Sequence, residues 1–234
     1  LSKYFSGIVA FQSKDISKSL EFFNSSKILL SKHDIYLKRY IYSLVLENKV
    51  SQAINVVKNN KDEKNTNFFD AYLLLILDSL KKKDYDKAYF YLKKTTNLPQ
   101  PDRLNSAIIE SLKQYIHVFK EKKILNNKKN LGKLSLISET FQRCYLEDIT
   151  TDTLFSNLIN DKEADYTRYT YFFLGHLIEN GKIEEAKKIV QNLDHINTTL
   201  LLSQGKSWIQ NGNENKFSKF FTCKNSNDII GEFL

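Results

Sequence analysis

The side chains able to do chemistry are few and widely spaced. The 234-residue chain holds four histidines, His33, His117, His176 and His195, and two cysteines, Cys144 and Cys223. His176 and Glu179 stand at i and i+3, so on a helix they share a face and could share a metal. Two ligands do not complete a metal site, and the pair reads as a surface or groove pair. The other histidines fall near element ends or on a polar face and take no role. The cysteines lie 79 positions apart without a C-x-x-C spacing, which excludes a cysteine-based zinc module. They can join in a disulfide only if the fold brings them together, and buried free thiols are the preferred reading, with the redox compartment left open. G-x-x-x-x-G-K-[ST], G-x-S-x-G and H-E-x-x-H motifs are absent. The sequence therefore predicts no catalytic residue, no metal and no cofactor.

Recognition chemistry is better represented. Tyr166, Tyr169, Tyr171, Phe172 and Phe173 surround Arg168, a composition typical of binding hot spots. On a helix Tyr169, Phe172 and Phe173 would share a packed face, leaving Arg168 and Tyr171 as contact residues. Trp208 reads as core. The net charge of +8 comes from 31 Lys and only 4 Arg. A nucleic-acid reader favours Arg, whose planar fork pairs with phosphates and guanine edges, so the lysines read as solvated faces and nucleic acid is not the expected partner.

The elements that position these residues follow a beat of 34 or 35 residues: Ile16, Ser19, Phe23, then Val50, Ala53, Val57, then Tyr85, Ala88, Leu92. Such a period predicts stacked helical hairpins. With 7 Gly and 2 Pro, turn-forming residues are scarce and the class is all-α. The turns within the first three hairpins fall at Ser13-Lys14-Asp15, Glu47-Asn48-Lys49 and Lys82-Lys83-Asp84. A fourth hairpin carries Ile183, Ala186 and Val190 in the same columns, 98 residues beyond the third, with its turn at Asn180-Gly181-Lys182. A fifth has Leu201 to Gln210 as its first helix, Asn211-Gly212-Asn213 as its turn, and Phe217 to Phe221 in its second. Between Leu98 and Asp161 the pattern lapses. Candidate helices there are Asp102 to Lys122, Leu134 to Leu146 and Asp152 to Leu158, with Asn126 to Asn130 as a long mobile loop. The expected organisation is three hairpins over 1–97, degenerate helical repeats or an insert over 98–161, and two further hairpins plus the start of another helix over 162–234. No run of 18 apolar residues occurs, so no membrane span is expected in this segment. The chain lacks Met throughout and closes on residues that read as opening a new helix, so it is expected to be a fragment of a longer protein.

These columns resemble the tetratricopeptide repeat. The small residue of that family's twentieth position matches Ser19, Ala53 and Ala88, and Gly7 matches its small eighth position. The early Trp is missing, and Ile41 and Ile76 replace the small eighth residue. Phe141 to Tyr145, Asp165 to Tyr169 and Leu202 to Trp208 are similar to segments of large multi-repeat alphaproteobacterial proteins of this kind. The resemblance implies a right-handed helical-hairpin solenoid of about 10–12 helices, continuous along the chain, in a bacterial cytoplasm or periplasm. It also implies that first helices line a concave groove, where Tyr4, Phe11, Lys38, Tyr42, Lys81, Arg168 and Tyr171 would meet a partner. The carboxylate clamp of some family members is absent, since the matching positions carry Tyr4, Ile8, Arg39, Asp70 and Leu74.

The expected function is a non-catalytic protein-interaction scaffold that takes a peptide or partner protein in this groove. The alternatives are a helical-repeat RNA binder using Lys-rich surfaces, or a scaffold domain of a larger enzyme. Neither partner identity nor oligomeric state is legible.

Overall fold

The computed structural model describes residues 2–29, 33–60, 66–98, 102–161, 167–192 and 200–223. Among them the chain forms 13 α-helices, one short 3₁₀ turn at Lys27–Leu29 and no strand. The helices are α1 (Ser2–Gln12), α2 (Ile16–Asn24), α3 (Asp34–Leu46), α4 (Val50–Asn59), α5 (Phe69–Lys81), α6 (Tyr85–Thr95) and α7 (Arg103–Glu121), followed by α8 (Lys133–Tyr145), α9 (Thr151–Ile159), α10 (Thr167–Glu179), α11 (Ile183–Asn192), α12 (Leu200–Gln210) and α13 (Glu214–Phe220). The all-α expectation holds, and the off-pattern helices fall within a residue or two of their expected bounds. The helix number exceeds the expected 10–12 by one, because both helices of all five expected hairpins and all three off-pattern helices form. None of these helices is long and apolar enough to cross a membrane.

Two compact units divide the chain, Leu1–Ile116 and His117–Leu234, with the boundary inside α7. In the first, α1 to α6 pack each on the next in chain order. In the second, α8 to α13 do the same, and α13 also packs back on α10. The predicted opening of a further helix after residue 227 lies outside the described residues.

One turn is used six times. Lys14, Asn48, Lys83, Glu147, Gly181 and Gly212 each take a left-handed conformation, with φ between +57° and +74°. The amide of the following residue reaches back to a carbonyl five positions earlier: Asp15 to Ala10, Lys49 to Leu44, Asp84 to Ser79, Asp148 to Arg143, Lys182 to Leu177 and Asn213 to Trp208. These are Schellman closures, which satisfy the last carbonyls of a helix and reverse the chain. In two of them the closing residue also starts the next helix, since the Asp15 and Asp84 carboxylates accept from the Lys18 and Lys87 amides, both at 3.1 Å. The closure common to all six turns sets how soon the second helix begins and accounts for the constant hairpin spacing.

The crossing above each turn follows from side-chain volume. In the first hairpin Ser19 Oγ donates to the Gly7 carbonyl at 2.9 Å, twelve residues apart. A Cβ on Gly7 would stand 2.7 Å from the Phe23 ring. The equivalent buried pairs are Ile41 with Ala53, Ile76 with Ala88, Leu174 with Ala186, and Gly205 with Phe217. In none of them are both residues large. The isoleucines that depart from the tetratricopeptide pattern are thus offset by the alanine twelve residues on, as close packing requires.

Aromatic rings complete both cores. In the first unit Tyr4, Phe23, Tyr36 and Tyr40 form a continuous cluster, and the Tyr36 hydroxyl donates to the Phe23 carbonyl. In the second, Phe155 stacks on Phe173 at 5.3 Å, and Phe141 meets Phe155 and Phe172 edge-on. The stretch expected to be a mobile loop contacts α8 through Lys128, which pairs with Glu139 at 2.7 Å, and just beyond it the Leu131 amide donates to Ser135 Oγ at 2.7 Å.

A non-glycine residue in the left-handed region costs about 1–2 kcal/mol, part of which a glycine returns as unfolded-state entropy. Lys83→Gly should therefore stabilise the chain by about 0.5–1 kcal/mol. Urea denaturation monitored by circular dichroism checks this, with Lys83→Val expected to destabilise.

Candidate functional site

Two clusters gather polar and aromatic side chains, one in each unit. The first lies on α3 and the start of α5. Lys38 Nζ pairs with Asp70 at 3.6 Å and lies over the Tyr42 and Phe68 rings, 5.8 and 5.6 Å from their centres. Burial, with the hydrogen bond and charge of Asp70, pushes the Tyr42 hydroxyl up to about 12. Tyr42 therefore remains a neutral donor at any physiological pH. Lys38 is exposed and Tyr42 half-buried. The helical spacing of Lys38 and Tyr42, four residues apart, aligns them on one face of α3, and the N-terminal turn of α5 supplies the carboxylate.

The other residues expected to contact a partner separate into different environments. Lys81 is exposed and Phe11 half-buried. Tyr4 is only 6% exposed, because its ring fills the space between Phe23, Tyr36 and His33. Its hydroxyl still accepts from Arg39 at 3.5 Å. Tyr171 corrects the sequence reading: it is 3% exposed, packed on Phe217 and Phe221, because α13 folds back on α10 and covers that face. The Arg168 side chain lies outside the described residues. Trp208 is half-buried against the core and stacks on Phe220 at 5.5 Å.

The second cluster replaces the expected free thiols with a disulfide. Cys144, in the last turn of α8, bonds to Cys223, just after α13, with their Cα atoms 5.6 Å apart. Beside it is His176 of α10, whose Nδ1 is 3.6 Å from Cys144 Sγ. The opposite nitrogen, Nε2, is 2.9 Å from Asp152 Oδ1 of α9. An ionised carboxylate only accepts, so Nε2 carries the hydrogen and Nδ1 is the basic nitrogen facing the sulfur. The Asn180 amide donates to that nitrogen at 3.3 Å and to the His176 carbonyl at 2.7 Å. His176 is 7% exposed, so it is neither a surface residue nor defined by Glu179 as the sequence suggested.

Burial disfavours the Asp152 carboxylate, yet the hydrogen bond and charge of Lys182, with the bond from His176, hold it below the ordinary range. A Cβ on Gly175 would stand 1.9 Å from the Phe221 carbonyl oxygen, so the segment leading to Cys223 lies directly on α10. With the two sulfurs joined to each other, no group of three His, Cys, Asp or Glu side chains among the described residues is arranged to hold a metal.

The sequence reading missed Phe68 and Asp70 beside Lys38, and Asp152 and His176 beside the cysteines. Asp70 was recoverable, since it opens the first helix of the next hairpin. The second cluster depends on α8 and α9, which lie outside the 34-residue beat and carry no register from which to align them. Comparison of the chain with protein-family models, curated proteins and solved structures found no match.

A cross-link closing 79 residues restricts the unfolded chain by roughly 4–5 kcal/mol on chain-entropy grounds. Cys144→Ser should lower amide-exchange protection in α10 and α13 while leaving α3 to α6 unchanged, as read by hydrogen exchange. The Asp152 carboxylate keeps its charge to lower pH when folded than when unfolded. Its stabilisation is complete above about pH 4 and is lost as pH falls through the folded value. Stability should accordingly fall less between about pH 5 and 3 in Asp152→Asn than in the parent chain, a difference that denaturation curves at each pH would measure.

Proposed function

We propose that the chain is a non-catalytic scaffold of the tetratricopeptide kind, a helical-hairpin solenoid that binds a peptide or partner protein on its first helices. The observation that carries this reading is the cluster of Lys38, Tyr42, Phe68 and Asp70. A cation, two aromatic rings and a carboxylate meet at a partly exposed face spanning two successive hairpins. Such a mixture suits a peptide, which offers apolar side chains to the rings and backbone or carboxylate oxygens to the ammonium. Six repeated turns and five complementary crossings support the repeat reading, because they commit most conspicuous residues to packing and leave this face available.

Lys38 is already paired with Asp70, so a partner carboxylate would have to compete with an internal one. Binding at this face should favour a ligand that also covers the rings over a simple anion. The Cys144–Cys223 bond fits an oxidising compartment, the periplasm among the bacterial locations considered.

The test is a pull-down from the native cell with the parent chain and with Lys38→Glu/Tyr42→Ala, circular dichroism confirming unchanged helicity. Specific protein partners should be lost from the double variant. Retention of all of them would remove this face from the binding site. Recovery of RNA whose binding weakens steeply with added salt would instead identify a nucleic-acid partner.

A further inference from the structure

A disulfide that only staples a fold needs no titratable neighbour. This one has a buried imidazole in contact with one of its sulfurs, and the imidazole is itself held in a fixed tautomer. We propose that Cys144–Cys223 is an exchangeable redox site for small thiols and disulfides. Cys144 is its reactive thiol, His176 the acid–base group at that thiol, and Asp152 the residue that positions His176.

The geometry assigns each role. His176 Nδ1 is 3.6 Å from Cys144 Sγ, while Nε2 is anchored on Asp152 at 2.9 Å. A thiolate next to a histidine that can carry the counter-charge is the arrangement that activates a cysteine. The remaining charged groups nearby are engaged with one another. Lys182, on the turn after α10, bonds to the second Asp152 oxygen. Arg143, one residue before Cys144, is tied to Glu139 and Asp148 at 2.9 Å each. Asn180 contributes a neutral amide, 3.3 Å from Nδ1 and 3.4 Å from Nε2. His176 is thus the titratable group in contact with the sulfur.

The two sulfurs are not equivalent. Cys144 is enclosed in α8 at 1% exposure, and Cys223, at 6%, lies on the segment that covers Gly175. An incoming thiol loses its proton and its sulfur attacks Cys223 Sγ, forming a mixed disulfide. The Cys223–Cys144 bond breaks, its electron pair passes to Cys144, and the proton resides on His176 Nδ1 beside the new thiolate. A second thiol attacks the sulfur of the first, releasing the small-molecule disulfide and Cys223. Two thiols are oxidised and one protein disulfide is reduced. In the reverse direction Nδ1 takes the Cys144 proton, and the thiolate attacks a mixed disulfide at Cys223. Reduction removes the covalent link from the segment after α13 to α8, and the packing of Phe221 on Tyr171 and Phe172 remains.

The experiment uses the full chain with Cys223→Ser, which isolates the Cys144 thiol, and follows thiolate ultraviolet absorbance against pH. Cys144 should ionise about one to two pH units lower than in Cys223→Ser/His176→Gln. Equal ionisation in the two chains would overturn the assignment. Should His176→Gln unfold by circular dichroism, Cys223→Ser/Asp152→Asn makes the comparison, with a raised value expected and an unchanged one contrary. In parallel, the oxidised parent chain is exposed to reduced glutathione, quenched with acid and mapped by mass spectrometry. A glutathione adduct on Cys223 is expected. An adduct on Cys144, or a disulfide that resists glutathione while the chain remains folded, would establish a permanent staple instead.

Discussion

Close approach of paired helices is the constraint on which the rest of this structure depends. Each hairpin reverses through a single left-handed residue, and so short a turn leaves the two helices in contact immediately above it. Large side chains cannot then face one another. Gly7 leaves room for the Phe23 ring, Ala53 and Ala88 offset Ile41 and Ile76, and Gly205 makes way for Phe217. Turn and crossing enforce each other: the turn requires a small residue, and the small residue permits the turn to close. Consistency between local and tertiary preferences of this kind is what makes a sequence specify one fold.

The same constraint explains what could be read from the chain alone. Residues that repeat every 34 or 35 positions, such as Ser19, Ala53 and Ala88, announce the hairpins directly, and their turns at Lys14, Asn48 and Lys83 lie where the sequence predicts them. The sites were less legible because they arise where an element meets one that is not its sequence neighbour. Tyr171 has the composition of a contact residue, yet the return of α13 onto α10 buries it. The free-thiol expectation fails for the same reason. Nothing in the spacing of Cys144 and Cys223 states that α13 turns back, although Gly175, directly before His176, marks the place where another backbone approaches.

The two units solve the closure of their cores by different physical means. In the first, Tyr36 donates its hydroxyl to the Phe23 carbonyl and Tyr40 bonds to Asn24 at 2.8 Å, so hydrogen bonds from α3 fix the end of the preceding hairpin. Burial raises the Tyr36 hydroxyl far above its ordinary value, with Tyr40 and Tyr4 adding to the shift, so this donor never ionises. These interactions are local, joining the first hairpin to the second. In the second unit, α8 and the segment after α13 lie 79 residues apart in sequence and are joined covalently. Contacts at that separation carry a large closure entropy, which a cross-link removes from the folding equilibrium.

A local hairpin series and a closed loop respond differently to perturbation. Losing a contact in the first unit loosens one joint, whereas opening the disulfide removes the covalent part of a closure that involves α8, α10 and α13 together. Its other part is the aromatic packing of Tyr171, Phe217 and Phe221. Hydrophobic packing of that size is worth several kcal/mol, so α13 keeps a noncovalent hold on α10 when the bond is opened. This closure is tightest at Gly175, where any side chain would hold the two backbones apart.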